Sequence, residues 1–191
     1  MAINYVENAI IENKKFTEID FSGMEYENCE FINCDFSNSN LSGCSYTECI
    51  FSDCDFSLSK LDNTKFTDIK FYNCKLLGLN FSYCNPFLLS FEFQDCNLNL
   101  ASFYKLKLKN TSFINCDLIE VDFTEADMTQ TVFEKCDLKK AIFEKTILNK
   151  ADFRTSANYL IDPQNNDMFK AKFSISGISG LLYKHDIIIE F

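Results

Sequence analysis

Every fifth residue from Phe16 to Phe81 is Phe, Tyr or Leu, and the stretch from Cys29 to Phe56 carries the pattern most plainly. Phe31, Phe36, Leu41, Tyr46, Phe51 and Phe56 recur there, and two residues before them stand Cys29, Cys34, Ser39, Cys44, Cys49 and Cys54. The positions between are mostly Ser, Asn, Asp, Glu and Thr. A helix repeats every 3.6 residues and a strand every 2, so neither alone has a period of five; a repeat this regular decides the architecture. Side chains alternate along extended backbone, so the small and the large residue point the same way and the residue between them points opposite. The two remaining residues must turn a corner. Iterated, this winds a coil whose layers stack by backbone hydrogen bonds at ~4.8 Å each. The small and large residues fill its inside, and each repeat contacts mainly its neighbours, as in a β-solenoid.

The second half shows how many sides the coil has. The centres there alternate between Phe and Leu or Met: Phe93, Leu98, Phe103, Leu108, Phe113, Leu118, Phe123, Met128, Phe133, Leu138, Phe143, Leu148, Phe153. Like stacks on like only if the number of sides is even. Cys34, Cys54 and Cys74 recur every 20 residues, as do Cys96, Cys116 and Cys136 and the pair Tyr26 and Tyr46. Four sides of five residues satisfy all of these. A small residue, a polar one, Phe or Leu and two polar residues together resemble the pentapeptide-repeat family. That resemblance implies an all-β, right-handed, four-sided (quadrilateral) β-helix.

A chain of 191 residues is expected to form one domain. Seventeen of its 21 Phe stand at repeat centres, counting Phe173. Each buried Phe contributes roughly 1.5–3 kcal/mol, so the core is ample without covalent staples. All ten Cys occupy the small inward slot, no CxxC pair occurs and His185 is the single His. They read as small core residues and not as zinc ligands or a disulfide framework, although cysteines one layer apart fall within disulfide Cα range. No metal or other cofactor is expected. The net charge of −10 and pI of about 4.6 argue against direct nucleic-acid binding, which needs a basic surface. No apolar run is long enough to span a membrane, and the start MAINYVENAI lacks the basic and apolar regions of a secretory signal. With the unpaired cysteine usage, this gives a cytoplasmic expectation.

The chain divides by phase. Residues 1–13 are expected to cap the first coil, with Ala9 and Ile11 already in register. Residues 14–85 hold the first run. Its outer surface begins acidic, with Glu18, Asp20, Glu25, Glu27, Glu30 and Asp35, and continues to a basic belt of Lys60, Lys65, Lys70 and Lys75. The phase slips by two residues across 86–92, after Asn85-Pro86, where a bulge or loop is expected to bend or offset the column and to leave Phe87 and Leu88 exposed. Residues 93–155 hold the second run. There Asp117, Glu120, Asp122, Glu125 and Asp127 form an acidic ring over successive sides, followed by Lys135, Lys140, Lys145 and Lys150. Residues 156–191 contain a degenerate last coil, a short helix expected from about Ser179 and a strand expected from Asp186. Ile178, Leu181, Leu182, Ile187, Ile188 and Ile189 are too apolar for an uncovered end and are expected to cap the rod or pair two copies.

The tail residues NYLIDP, AKFSISG and GLL, with the Ile-rich end, resemble the quinolone-resistance (Qnr-like) and gyrase-poison immunity branch of the family. The resemblance implies a homodimer joined through the C-terminal segments, mimicry of duplex DNA, and binding to a type II topoisomerase, either DNA gyrase or topoisomerase IV. Some members carry long projecting loops that matter for protection; here the interruption is two extra residues near Pro86. The chain contains no Cys/His pairing and no Gly-rich phosphate loop, and its acidic pairs fall on an open surface, so a non-enzyme is expected. The acidic ring is the candidate partner-binding site. A generic scaffold solenoid with an unrelated protein partner is the alternative.

Overall fold

A computed structural model describes residues 4–17, 23–185 and 187–188. The chain winds as a right-handed, four-sided coil of parallel strands and bridges. Side one stacks β1 (Tyr5–Glu7), β3 (Glu25–Glu27), β5 (Ser45–Thr47) and β7 (Lys65–Thr67). Side two stacks β2 (Ile10–Glu12), β4 (Glu30–Ile32), β6 (Ile50–Ser52), β8 (Ile69–Tyr72), β9 (Phe91–Gln94), β10 (Ser112–Ile114) and β11 (Val132–Glu134). Sides three and four are held by single bridges, such as Asp35↔Asp55 and Asp55↔Lys75 on three and Ser102↔Asp122 on four. Residues 5–12, read from the sequence as a cap, form the first rungs of sides one and two.

Like stacks on like, as the alternation requires. On side two, the rings of Phe31, Phe51, Phe71, Phe93, Phe113, Phe133, Phe153 and Phe173 lie parallel in one column, with centroids 4.7–5.4 Å apart. Phe81, Phe103, Phe123 and Phe143 form a second column on side four. Rings on adjacent sides meet edge to face, as Phe51 and Phe56 do at 85°, and so do rings on opposite sides, as Phe103 and Phe113 do at 80°. Both offset-stacked and edge-to-face pairs are favoured by the ring quadrupole.

The small slot does more than save space. Its side chain donates to the carbonyl of a centre in the layer below: Cys54 Sγ to Phe31 (3.4 Å), Ser59 Oγ to Phe36 (2.7 Å), Thr64 Oγ1 to Leu41 (2.9 Å) and Ser156 Oγ to Phe133 (2.8 Å). Cysteine, Ser and Thr therefore fill the slot and satisfy their own polar atom. All ten Cys are buried, and none forms a disulfide. The corner is made by the residue two after the centre, which takes left-handed backbone at position after position, from Asn8 (φ 55°) to Lys170 (φ 57°). Asn and Asp tolerate this region best among non-glycine residues, and they are frequent there in the first run.

The phase break alters one side only. On side two, Phe71 pairs directly with Phe93, with no rung missing between them. Side three continues from Lys75 to Asn97 and side four from Asn80 to Ser102. The expected offset of the column is therefore absent on these three sides. The two extra residues are absorbed on side one. After a 3-10 turn at Phe81–Tyr83, residues 85–90 cross above β7 as a loop. Leu88 has the phase of a side-one centre, one coil before Leu108, yet it is turned out to 64 % exposure. Phe91, in a small slot, swings inward instead and packs on Phe66, Phe71, Phe81 and Phe93.

The C-terminal segment begins its helical turn earlier than the sequence reading placed it. It forms 3-10 turns at Ile175–Leu181 and Tyr183–His185. Ser174 caps the first by accepting from the Gly177 amide. In a 3-10 turn residues three apart eclipse, so Gly177 and Gly180 face the same neighbour, Tyr159. A Cβ on Gly180 would collide with the Tyr159 carbonyl, and one on Gly177 with its hydroxyl. Ile187 and Ile188 are not in a strand. Asp186 and Ile189, with the rest of the expected strand, lie outside the described residues, as do Glu18 and Asp20 of the N-terminal acidic coil.

Candidate interaction surface

Every inward position is filled by core, so what this rod offers a partner lies on its outer positions. Three consecutive repeats place the acidic ring on three different sides of one coil. Asp117 and Glu120 belong to side three, Asp122 and Glu125 to side four, and Asp127 to side one. All five are half-buried or exposed.

Stacking determines what these carboxylates meet. Glu120 pairs with Lys140 one layer on (2.7 Å), Glu125 with Lys105 one layer back (3.4 Å) and Asp127 with Lys109 (3.1 Å). Asp122 accepts from the Thr124 amide (2.9 Å), and Asp127 from the amide and hydroxyl of Thr129. Burial works to raise the Asp127 carboxyl, but Thr129 and Lys109 outweigh it and hold the group below its ordinary value. The Glu120 carboxylate raises Lys140 in turn. Around its circumference this coil is thus a mosaic of both signs. The two lysine belts also encircle the rod with one residue per side, and Lys75 of the first reaches Asp55 (3.7 Å).

Along the axis the charge is more uniform. At the corner between sides two and three, the left-handed position reads Asn33, Asp53, Asn73, Asp95, Asn115, Lys135, and the next outward position reads Asp35, Asp55, Lys75, Asn97, Asp117, Asp137. Six Asp lie along this edge; Asp35, Asp53, Asp55 and Asp95 line an open groove, and Lys75 and Lys135 interrupt the row. Amides brace the carboxylates: Asn73 donates to Asp53 (2.5 Å) and Asn115 to Asp95 (2.6 Å). Hydrogen bonds from Ser37 hold the Asp35 carboxyl low, and those from Asn115 and Gln94 hold Asp95 low. These two carboxylates therefore stay ionised well below neutral pH. The sequence reading missed it because its members come from different coils, although the coil-to-coil recurrence contains the signal.

The sequence matches the family profile of the pentapeptide repeat region at residues 24–103 and 88–157. The chain is a pentapeptide-repeat protein. Two solved structures share its fold over nearly its whole length. Both are trypsin-treated variants of QnrB1, described as a plasmid-mediated fluoroquinolone resistance protein. The first is 20% identical, covers 97% of this chain and 100% of its own, and has a TM-score of 0.63. The second is 20% identical, covers 95% and 99%, and has a TM-score of 0.62. No curated protein sequence matches the chain.

The C-terminal end of this pentapeptide-repeat protein carries the other candidate surface. Ile178 is 43 % exposed, Ile187 55 % and Ile188 90 %, and Ile175 beside them 82 %. Leu181 and Leu182 are half-buried, and Leu181 packs against the protein's own core. The segment thus closes the end of the rod with Leu181 and leaves Ile175, Ile178, Ile187 and Ile188 outward. Among the described residues no group of three or more His, Cys, Asp or Glu is arranged to hold a metal ion, and no helix is long and apolar enough to cross a membrane.

Proposed function

We propose that this protein is a non-enzymatic DNA mimic that binds a type II topoisomerase, DNA gyrase or topoisomerase IV, as a homodimer paired through Ile178, Leu181, Leu182, Ile187, Ile188 and Ile189. In this reading it acts in the cytoplasm and shields the enzyme from a quinolone or peptide poison. The observation that carries the reading is the acidic edge between sides two and three, on a fold shared with a fluoroquinolone resistance protein. Its six carboxylates, Asp35 to Asp137, span five layer steps or ~24 Å. That is about one carboxylate per 5 Å, or about one net charge per 6 Å after Lys75 and Lys135 are subtracted, against one per ~3.4 Å for a single DNA strand. The density is that of a somewhat dilute phosphate strand. Asp117 lies both on this edge and in the acidic ring, where Asp122, Asp127, Glu120 and Glu125 extend the acidic surface around the coil.

The test is a supercoiling and drug-cleavage assay with purified gyrase. Wild type should inhibit supercoiling, less so as salt rises, since screening shortens to ~8 Å at physiological strength. The triple variant Asp117→Asn, Asp122→Asn, Asp127→Asn keeps the acceptor oxygens that Thr124 and Thr129 use and removes three charges, so it should fold and inhibit more weakly. Unchanged inhibition would move the site off the ring; no inhibition by wild type would overturn the reading. The second reading, a scaffold for an unrelated protein, is favoured by the lysines that neutralise Glu120, Glu125 and Asp127.

A further inference from the structure

The loop at the phase break presents Phe87 and Leu88, 72 % and 64 % exposed, close in sequence to the exposed Tyr83. The pair is held in place. The Asn85 side chain accepts from the Phe87 amide (3.0 Å) and donates to Asn63 (3.1 Å). At the other end the Ser90 hydroxyl accepts from the Asp68 amide and donates to its carboxylate (2.6 and 2.9 Å). Pro86 fixes the entry to the loop. Phe91 fills the interior space that Leu88 vacates, so the core does not need either exposed residue. Lysines bracket the pair on the same side: Lys65 in the strand beneath, Lys107 and Lys109 in the rung above. Lys109 reaches Asp127, whereas Lys65 and Lys107 meet no carboxylate within 4 Å among the described residues.

We propose that this loop is a second docking surface, distinct from the acidic edge, that takes an acidic amphipathic helix of a partner protein. The apolar pair would enter that helix's hydrophobic stripe while Lys65 and Lys107 face its carboxylates. A rigid apolar anchor limits the ordering lost on binding, and unpaired flanking lysines supply the charge complementarity. An anionic membrane is the less fitting occupant, because two apolar side chains and a few lysines work against a chain of net charge −10.

The probe is a fluorescent helical peptide with Leu at i, i+3, i+4 and i+7 and Glu elsewhere, titrated against the full chain. It should bind, more weakly at higher salt. Phe87→Ser/Leu88→Ser and Lys65→Glu/Lys107→Glu should each reduce affinity by about tenfold or more. The same peptide with Lys in place of Glu should not bind. Melting curves establish that the variants remain folded, as expected for exposed positions. Absence of binding, or equal binding by wild type and both variants, overturns the proposal. So does phosphatidylglycerol vesicle binding that is lost in the Phe87/Leu88 variant while the peptide does not bind. Both variants should inhibit gyrase as wild type does, which separates this surface from the one proposed above.

Discussion

Cysteine occupies the small slot because its thiol fits between layers and finds a carbonyl there. Cys116 is 1 % exposed and donates to the carbonyls of Phe93 and Ile114. Ser156, two rungs further along the same column, makes the equivalent bond with a hydroxyl. Cys116→Ser should therefore melt close to wild type. Cys116→Leu overpacks the layer at about 1–3 kcal/mol, and at roughly 2–4 °C per kcal/mol for a chain this size the two melts should separate clearly. Equal melts would show that the slot does not face inward. The same burial has a pH consequence. It pushes Cys49 up to about 12 and Tyr26 up to about 12. The folded state thus keeps protons that the unfolded state releases near 9 and 10. Above those values the unfolded chain binds fewer protons, so stability falls as pH rises, by up to about 1.4 kcal/mol per pH unit for each such group until about pH 12. Denaturant midpoints should be flat from pH 6 to 8 and decline above 9; a midpoint that rises there would contradict this burial.

At the scale of the element, the break after Phe81 shows how a solenoid absorbs an insertion. Only side one loses a rung, and a single large side chain in a small slot repairs the gap. Phe91→Ala removes that repair and should cost about 3–5 kcal/mol, as truncation of a buried Phe does. Phe87→Ala, in the same loop and exposed, should cost less than about 0.5 kcal/mol. Urea unfolding of the pair measures both, and the reverse order would mean that Phe87 and not Phe91 fills the space. The C-terminal 3-10 turn follows a similar logic. Its two glycines let the backbone lie directly on Tyr159, whose hydroxyl burial pushes upward in pKa, with Ser174 acting the other way.

At the scale of the whole molecule, the rod's stability is distributed over neighbouring layers, whereas its self-association is assigned to one end. Deleting residues 177–191 removes Ile178, Ile187 and Ile188 and the part of the turn that lies on Tyr159, but none of the strands among the described residues. The truncated chain should keep its β circular dichroism and sediment as a monomer or as aggregates, while the full chain sediments as a dimer. A soluble dimer after truncation would place the pairing elsewhere.

The repeat period by itself determined the all-β coil, its four sides, the inward slots and the place of the phase slip. That information is local and recurs in every pentapeptide: a large residue must be buried, and extended backbone sends every second side chain the same way. The exposure of Phe87 and Leu88 was legible for the same reason, since they stand where the pattern fails. The outer surface is different. Neighbours there come from successive layers, a full coil apart in the chain, and no burial requirement selects them. Only the tertiary structure decided that Lys105, Lys109 and Lys140 would lie beside the acidic ring. It likewise decided that Asp35, Asp53, Asp55, Asp95, Asp117 and Asp137 would share one edge. The inward turn of Phe91 and the 3-10 form of the tail were also settled there, because each answers a cavity or a collision that exists only once the layers are stacked.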